Sequence, residues 1–514
     1  MSENALYNSF IDSKSGIKIP VFASGRTVES RYDPMREGEK LAGQIKDDTN
    51  FIILLGIAGG TLINCICKSR PDIFILAVEK SQEDIDFLSE LPVIKEIRQN
   101  KKVCLCHLKN LENQICQLYL PAFYGNLQVI EQRGWISENQ ESISFINQTI
   151  TKALQTVSAD FSVQSHFGKL WQHNILSNII LYKPFPSFYG KGLNDKRKAV
   201  IFAAGPSLDQ TIKTIIDQRD NYFLIASDTA FSSLLAYNII PDSVLSIDGQ
   251  HISNCHFLHS RKADLSRTDF IFDLSANPSA VKKLMNEGLN VIFFKSGHPF
   301  CDYADQVLKL ELPSLYSGAG TVTISALDYA LKCGFKDLMV LGADFSYING
   351  KPYAKGTYLD TIYNYTSLRT SSSQKKYCGL EFRTQLIQKD KSVFSTNVLN
   401  SYKESFEKYL LDSGLEFIKE EDMYKIKNNK AGTKEVINND NSGRNSLISQ
   451  TDIRQLLLPF TQMPDLNFSD FSMLTKKDIS LLPLISWIRS HDNNNKAHFN
   501  YYYKKALNYF SKWL

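Results

Sequence analysis

The chain is poor in the features that mark secreted, membrane-spanning or nucleic-acid-coating proteins. Its 58 Lys and Arg stand against 54 Asp and Glu, a formal charge of only +4 over 514 residues. That balance argues against a basic face driving nucleic-acid binding, and against an acidic tail or a polybasic membrane anchor. Cysteine is sparse: nine residues, an odd number, spread along a large chain. The opening MSENALYNSFIDSKSGIKIP lacks the apolar core of a signal peptide. These absences predict a cytoplasmic protein with reduced thiols. Long apolar runs are missing too. FIILLGIAGGTLINCIC at 51–67 is interrupted by three glycines and an asparagine, and reads as strand, turn and helix rather than a membrane span. There is no Cys-x-x-Cys, His-Glu-x-x-His, Gly-x-Ser-x-Gly, Walker A or kinase signature.

What is present suits an ordinary globular protein, with 43% hydrophobic and 22% charged residues. At ~150 residues per domain the length suggests about three domains. After RYDP at 31–34 and a helical EGEKLAGQI, FIILL at 51–55 reads as a strand buried on both faces. The glycine turn GIAGG follows at 56–60, then a helix, then the strand IFILAVE ending at Glu79. The plan recurs: KAVIFAAGPSL at 198–208, a helix, then NYFLIASD ending at Asp228. Further strands are SVLSID (243–248), DFIFD (269–273), NVIFFK (290–295) and DLMVLGADF (337–345). TVTISALDYALKCG at 321–334 has helical spacing and a glycine at its C-cap. A helix at 396–414 leads to the strand LEFIKE. This alternation predicts a doubly wound α/β domain over roughly 195–425. The Asn-rich stretch after 425 reads as loop, and the remaining ~70 residues as helical. The closing KAHFNYYYKKALNYFSKWL reads as an amphipathic helix, packed on the body or facing a partner or membrane.

Four motifs carry chemistry. The GIAGG turn with Glu79 fits either a phosphate-and-ribose site or an empty tight turn. In AAGPSLD, Gly205 permits an unusual backbone angle, Pro206 pre-sets the turn and Ser207 can cap a helix from Leu208, with backbone amides free for an anion. Asp228 and Asp248 sit at strand carboxyl ends, the edge where open α/β sheets bind ligands; helix capping is the structural alternative. In LYSGAGTVTISALDYALKCGFKDLMVLGADFSYINGKPYAKGTY, a small-residue turn (Ser317, Gly318, Gly320, Thr321) opens a helix. The next strand ends in Gly342 and Asp344 and is followed by Tyr347, Tyr353 and Tyr358, which can donate to a leaving phosphate or simply cover the sheet. His256 and His259, with Cys255 adjacent, form a weak zinc pattern, and no metal site is expected.

These motifs resemble the motility-associated factor (Maf) glycosyltransferases of bacteria, whose central domain is MptE-like, after a 6-hydroxymethylpterin diphosphokinase. The residues concerned are GPSLD, SDTA…NIIPDSVLSIDGQ and SGAGTVTISALDYALKCGFKDLMVLGADFSY. RYDPMREGEKLA with the GIAGG turn resembles the Maf N-terminal domain, so the likeness reaches residue ~430. The central region is also similar to bacterial sialyltransferases with an NGPSL turn. Ala204 stands where those have Asn, Ser346 where they have their first tyrosine, and KSVFSTNVLNSY lacks their histidine base.

The resemblance implies a Rossmann-like, sialyltransferase-like central domain at 191–428, an N-terminal Maf-like α/β domain at 1–190, and a linker with a helical region at 429–514. It implies transfer of a nonulosonic, sialic-acid-like sugar from a CMP-activated donor to Ser or Thr of flagellin, with no firmly implied cofactor. Gly205, Pro206 and Ser207 would then hold the phosphate or cytidine, Asp228 and Thr229 the nucleotide, and Ser317, Gly318 and Thr321 the donor pocket. Asp344, Tyr347 and Tyr353 would serve the leaving group, with Asp248 or His298 as the base. The alternatives are a Mg-ATP-dependent pterin-type diphosphokinase, with Asp228 and Asp248 on Mg²⁺, or a non-catalytic flagellin-binding chaperone.

Overall fold

The computed structural model describes residues 5–185, 188–193, 195–258, 260, 263–318, 320–420, 423–429, 446–461, 471–492, 498–510 and 513. The chain divides into two compact units, one of Met1–Lys169 with Leu457–Leu514, the other of Leu170–Leu456.

The first unit opens with an antiparallel hairpin, β1 (Tyr7–Asp12) and β2 (Lys18–Phe22), which the sequence reading did not foresee. A parallel sheet follows: β3 (Thr49–Leu55), β4 (Phe74–Glu79), β5 (Val103–His107) and β6 (Asn126–Glu131), in the order β5-β4-β3-β6. Residues 51–55 and 75–78 are fully buried, as their unbroken apolar runs require of strands covered on both faces. The helix Phe499–Phe510 turns Tyr502, Tyr503, Ala506, Leu507 and Phe510 into this unit. Phe499 packs on Phe123 at 4.5 Å, and the Arg489 guanidinium lies 4.4 Å from the Tyr502 ring centroid. No described helix is long and apolar enough to cross a membrane. All nine cysteines are free thiols.

The second unit is built on eight strands, of which the first six are β7 (Lys198–Phe202), β8 (Tyr222–Ser227), β9 (Ser243–Ser246), β10 (Asp269–Asp273), β11 (Asn290–Phe294) and β12 (Asp337–Leu341); the last two follow a small separate sheet. The small sheet comprises β13 (Tyr347–Ile348), β14 (Ile387–Asp390) and β15 (Val393–Ser395), and was also unforeseen. β16 (Glu416–Glu420) and β17 (Met423–Lys427) close one edge antiparallel. The order is β11-β10-β9-β8-β7-β12-β17-β16, with β7 to β12 all parallel, a doubly wound α/β sheet.

The chain runs outward from β7 to β11, then returns to the other side of β7. The topological switch point therefore lies between β7 and β12, where such sheets bind ligands. The helix Val322–Cys333 fixes the polarity of one face. Tyr329, in its second half, meets Ser243 at the start of β9 (hydroxyls 3.1 Å apart), and Phe335 beyond it meets Phe223 at the start of β8. The helix thus descends toward the amino ends of the strands, and its first turn stands at their carboxyl edge. Gly334 (φ 92°) ends it, as the sequence predicts.

Candidate functional site at the switch point

Two turns meet at the switch point. The Gly205 amide donates to Gly342 O (2.8 Å), and the Ser207 amide to Asp344 Oδ2 (2.8 Å). The Ser207 hydroxyl donates to Asp344 Oδ1. Two details differ from the sequence reading. Ser207 does not cap the short helix after it, because its hydroxyl is drawn to Asp344. Gly205 is required by crowding rather than by an unusual φ: a Cβ there would lie 2.5 Å from both Asp344 Oδ2 and Gly342 O. Pro206 offers no amide, so the anion that the GPS turn holds is the chain's own Asp344 carboxylate.

The loop after β13 closes over this turn. Ala354 N donates to Ala204 O (2.9 Å) and Lys355 N to Asp209 Oδ1 (2.9 Å). Gly356 packs so tightly on the helix Asp228–Ala236 that a Cβ would meet Ala236 at 2.7 Å. These contacts bring Tyr353 and Tyr358 to the carboxyl ends of β8 and β9. Burial pushes the Tyr353 hydroxyl up to about 12, with Tyr358, Tyr347 and Asp228 adding to the shift. Burial also raises Tyr358 and Tyr347. All three tyrosines therefore stay protonated at neutral pH and can donate. No described group hydrogen-bonds the Tyr353 hydroxyl.

Asp228 is buried at the start of its helix, with Ser227 as the cap. Its Oδ1 accepts from the Thr229 amide (2.6 Å) and hydroxyl (3.1 Å), and its Oδ2 from Ser246 Oγ (2.7 Å). Asp248 accepts from Gln250 N (2.8 Å). Burial raises its carboxyl pKa and Asp228 adds to this, while His256 opposes it. Asp228, Thr229, Asp248, Tyr347 and Tyr353 thus share one neighbourhood with the Ser207–Asp344 pair.

Ser317, Gly318 and Thr321 form a separate turn on the same edge, at the start of the helix Val322–Cys333. Gly318 (φ 55°) and Gly320 (φ 85°) shape it. Thr321 makes no side-chain cap, and no described group accepts from the Val322 or Thr323 amides. This helix start, unlike the GPS turn, keeps donors available for an anion.

His298 lies elsewhere. Its Nδ1 accepts from Phe300 N (3.2 Å), capping the helix Pro299–Leu308, and its ring packs edge-on against Trp171 at 5.7 Å. Burial lowers it to about 3, so it is neutral at physiological pH. The cover comes from helix residues 170–180. Asn174 Nδ2 donates to Gly249 O and Ser275 O, and Asn178 Nδ2 to Leu274 O and Ala276 O, at 2.8–3.0 Å. These bonds hold the segments that follow β9 and β10 at their carboxyl ends. Among the described residues no cluster of three His, Cys, Asp or Glu could hold a metal, and His259 lies outside them. His256, which the sequence offers only as a metal ligand, lies against Tyr358 and within electrostatic reach of Asp248.

The GIAGG turn in the first unit is filled from within. Glu79 accepts from Tyr7 Oη (3.1 Å), Ile57 N (3.2 Å), Lys80 N (3.0 Å) and Trp135 Nε1. Burial pushes its carboxyl up to about 7 against these donors. Glu29 accepts from the Thr61 amide and hydroxyl, both at 3.3 Å. A Cβ on Gly56 would lie 2.7 Å from Trp135. Two carboxylates and an indole occupy the positions the sequence reading offered to a phosphate and ribose.

The fold and its switch-point cluster define a doubly wound α/β protein. Residues 169–350 match the family model "6-hydroxymethylpterin diphosphokinase MptE-like". An uncharacterized Treponema pallidum (strain Nichols) protein is 35% identical over 172 residues, covering 31% of this chain and 81% of that one. A second from the same organism is 39% identical over 145 residues, 28% of this chain and 51% of its own length. A solved Maf glycosyltransferase from Magnetospirillum magneticum AMB-1 superposes with a TM-score of 0.51 at 13% identity, over 99% of this chain and 91% of that one. At that identity the likeness establishes a shared fold. Residues 169–350 are thus an MptE-like domain, in a chain whose fold is shared with a Maf glycosyltransferase.

Proposed function

We propose that the chain is a glycosyltransferase that moves a nonulosonic sugar from a CMP-activated donor to Ser or Thr hydroxyls of flagellin. The observation carrying this reading is the convergence of protonated tyrosines, Asp228 and Asp344 at the switch point of a fold shared with a Maf glycosyltransferase. In the transfer, the acceptor oxygen bonds to the anomeric carbon. The bond from that carbon to the phosphate oxygen breaks, and CMP leaves with the electron pair. The charge developing on the leaving phosphate needs fixed donors. Tyr353 and Tyr347 supply hydroxyls, and the start of the helix Val322–Cys333, lined by Ser317, Gly318 and Thr321, supplies amides. Asp228 and Thr229 would face the nucleotide. The Ser207–Asp344 pair would brace the two turns that bound it.

The matched family model favours a second reading, a Mg-ATP-dependent pterin-type diphosphokinase. Asp228 and Asp248 would be its Mg²⁺ ligands, but both Asp228 oxygens already accept hydrogen bonds, which leaves fewer lone pairs for a cation. A thermal-shift panel separates the readings. CMP at about 100 Kd should stabilise the chain by about 2.7 kcal/mol without Mg²⁺. Stabilisation by Mg-ATP and none by CMP would support the kinase.

A further inference from the structure

We propose that the hairpin of the helices Tyr358–Tyr365 and Ser373–Glu381 is the docking surface for the protein acceptor, and that it holds an acceptor segment bearing apolar and acidic side chains. This rests on the glycosyltransferase reading and says where its acceptor is gripped. The first helix carries Tyr358, Leu359, Ile362, Tyr363 and Tyr365, yet none of its residues is fully buried. An apolar helix face within a domain normally packs on a core, so a bare one marks a surface that something else covers.

The two helices are tied through one side of the first. Tyr377 Oη donates to Asp360 Oδ1 (2.8 Å), the Tyr363 and Tyr377 rings meet edge-on at 5.1 Å, and Lys376 Nζ donates to Thr366 O (2.6 Å). At 3.6 residues per turn, Tyr358, Ile362 and Tyr365 form a stripe on the opposite side from Asp360 and Tyr363. Its inner end is at the candidate site, where the Tyr358 ring meets the His256 imidazole at 4.8 Å between centroids. It then runs out into solvent: Ile362 is 38% exposed, Tyr365 90%, and Leu368 beyond the helix 67%. At ~1.5 Å per residue, the stripe reaches ~10 Å from Tyr358 to Tyr365. A polypeptide lying along it is led to the switch-point edge, where its hydroxyl must arrive.

Charge narrows the choice of partner. Arg369, Lys375 and Arg383 are exposed on the hairpin, and no described carboxylate pairs with them. Of the hairpin's own acids, Asp360 is taken up by Gly356 N, Asn364 and Tyr377, and Glu381 is buried. The outward charge is therefore positive, and acidic side chains flanking apolar ones complement it. An anionic membrane has the same sign, but a stripe that ends at the site favours the substrate of that site over lipid.

The test measures binding of purified, unmodified flagellin to the full chain, with CMP affinity and binding to phosphatidylserine vesicles alongside. One variant combines Tyr365→Ser with Leu368→Ser, the other Arg369→Glu with Arg383→Glu; all these positions are exposed, so both variants should fold. Each should weaken flagellin binding about 10-fold or more and leave CMP affinity within about twofold. Binding by wild type should also weaken as salt is raised. Flagellin affinity unchanged in both variants would overturn the docking surface and leave the transfer reading intact. Vesicle binding lost in the variants, with flagellin affinity kept, would assign the hairpin to lipid and overturn it equally. Flagellin that binds through the hairpin but gains no sugar in cells that make a CMP-nonulosonate would overturn transfer and not docking.

Discussion

Replacing Gly205 with alanine places a methyl group where the structure has no room for one. The new Cβ would stand 2.5 Å from Asp344 Oδ2 and 2.5 Å from Gly342 O, well inside the ~3.3 Å of a close C–H···O contact. Neither oxygen is free to retreat. Gly342 O accepts from Gly205 N itself, and Gly342 (φ 70°) is already so close to Ala203 O that its own Cβ would lie at 2.4 Å. Asp344 is held by the Ser207 amide and hydroxyl. Overpacking costs about 1–3 kcal/mol, and weakening a hydrogen bond to a carboxylate about 1.5–3 kcal/mol. We expect Gly205→Ala to lose about 3 kcal/mol, which at ~2–4 °C per kcal/mol is a drop in Tm of roughly 6–12 °C. Differential scanning calorimetry on the full chain reads this directly. Gly379→Ala is the control: it lies in the helix Ser373–Glu381 with open space at its Cβ, and should gain about 0.5–1 kcal/mol. A Gly205→Ala protein melting with wild type would refute the claim that the two turns are locked together.

Other expectations follow from the same contacts. Tyr353→Phe should keep CMP affinity but reduce nucleotide release by about 100-fold or more, by steady-state kinetics; full activity would remove Tyr353 from leaving-group stabilisation. Burial holds the Glu29 carboxyl near 7, above its ordinary 4.5, so its contribution to stability is complete below ~4.5 and is lost as pH rises through about 7. Glu29 should therefore contribute a fall of about 2.5 kcal/mol in urea-unfolding stability between pH 5 and 8, with Glu79 adding a like share, and Glu29→Gln should remove about half of that slope; an unchanged slope would contradict it. Asn178→Ala strips the partner from the carbonyls of Leu274 and Ala276 and should cost about 1–3 kcal/mol in urea unfolding, whereas a change under 0.5 kcal/mol would show those carbonyls are satisfied otherwise.

Much of this architecture was legible in the sequence, for a physical reason. Strands covered on both faces must be unbroken apolar runs, so FIILL, KAVIF and DFIFD announced themselves, and the helix Val322–Cys333 showed both its period and its terminal glycine. The switch-point motifs were legible because glycine and strand-end acids mark turns. The pairing of Ser207 with Asp344 was not, since 137 residues separate them and only the return of β12 beside β7 joins them. Nothing local marks Glu29 as the residue that enters the GIAGG turn. The strands β13 to β15 are not legible because they are two to four residues long, too short to show alternation. The sequence offers His298 as a candidate base because nothing local shows that Trp171 packs on its ring and that Asn174 and Asn178 bond the neighbouring loops.

The most direct measurement of the central claim is the intact mass of flagellin co-expressed with this chain in cells that make a CMP-nonulosonate. With wild type, the account predicts a mass increase of one or more nonulosonic acid units on Ser or Thr. With Asp344→Asn, which leaves the two switch-point turns without their bridging carboxylate, the increase should be absent or sharply reduced. Unmodified flagellin in the presence of wild type and a confirmed donor pool would contradict the account.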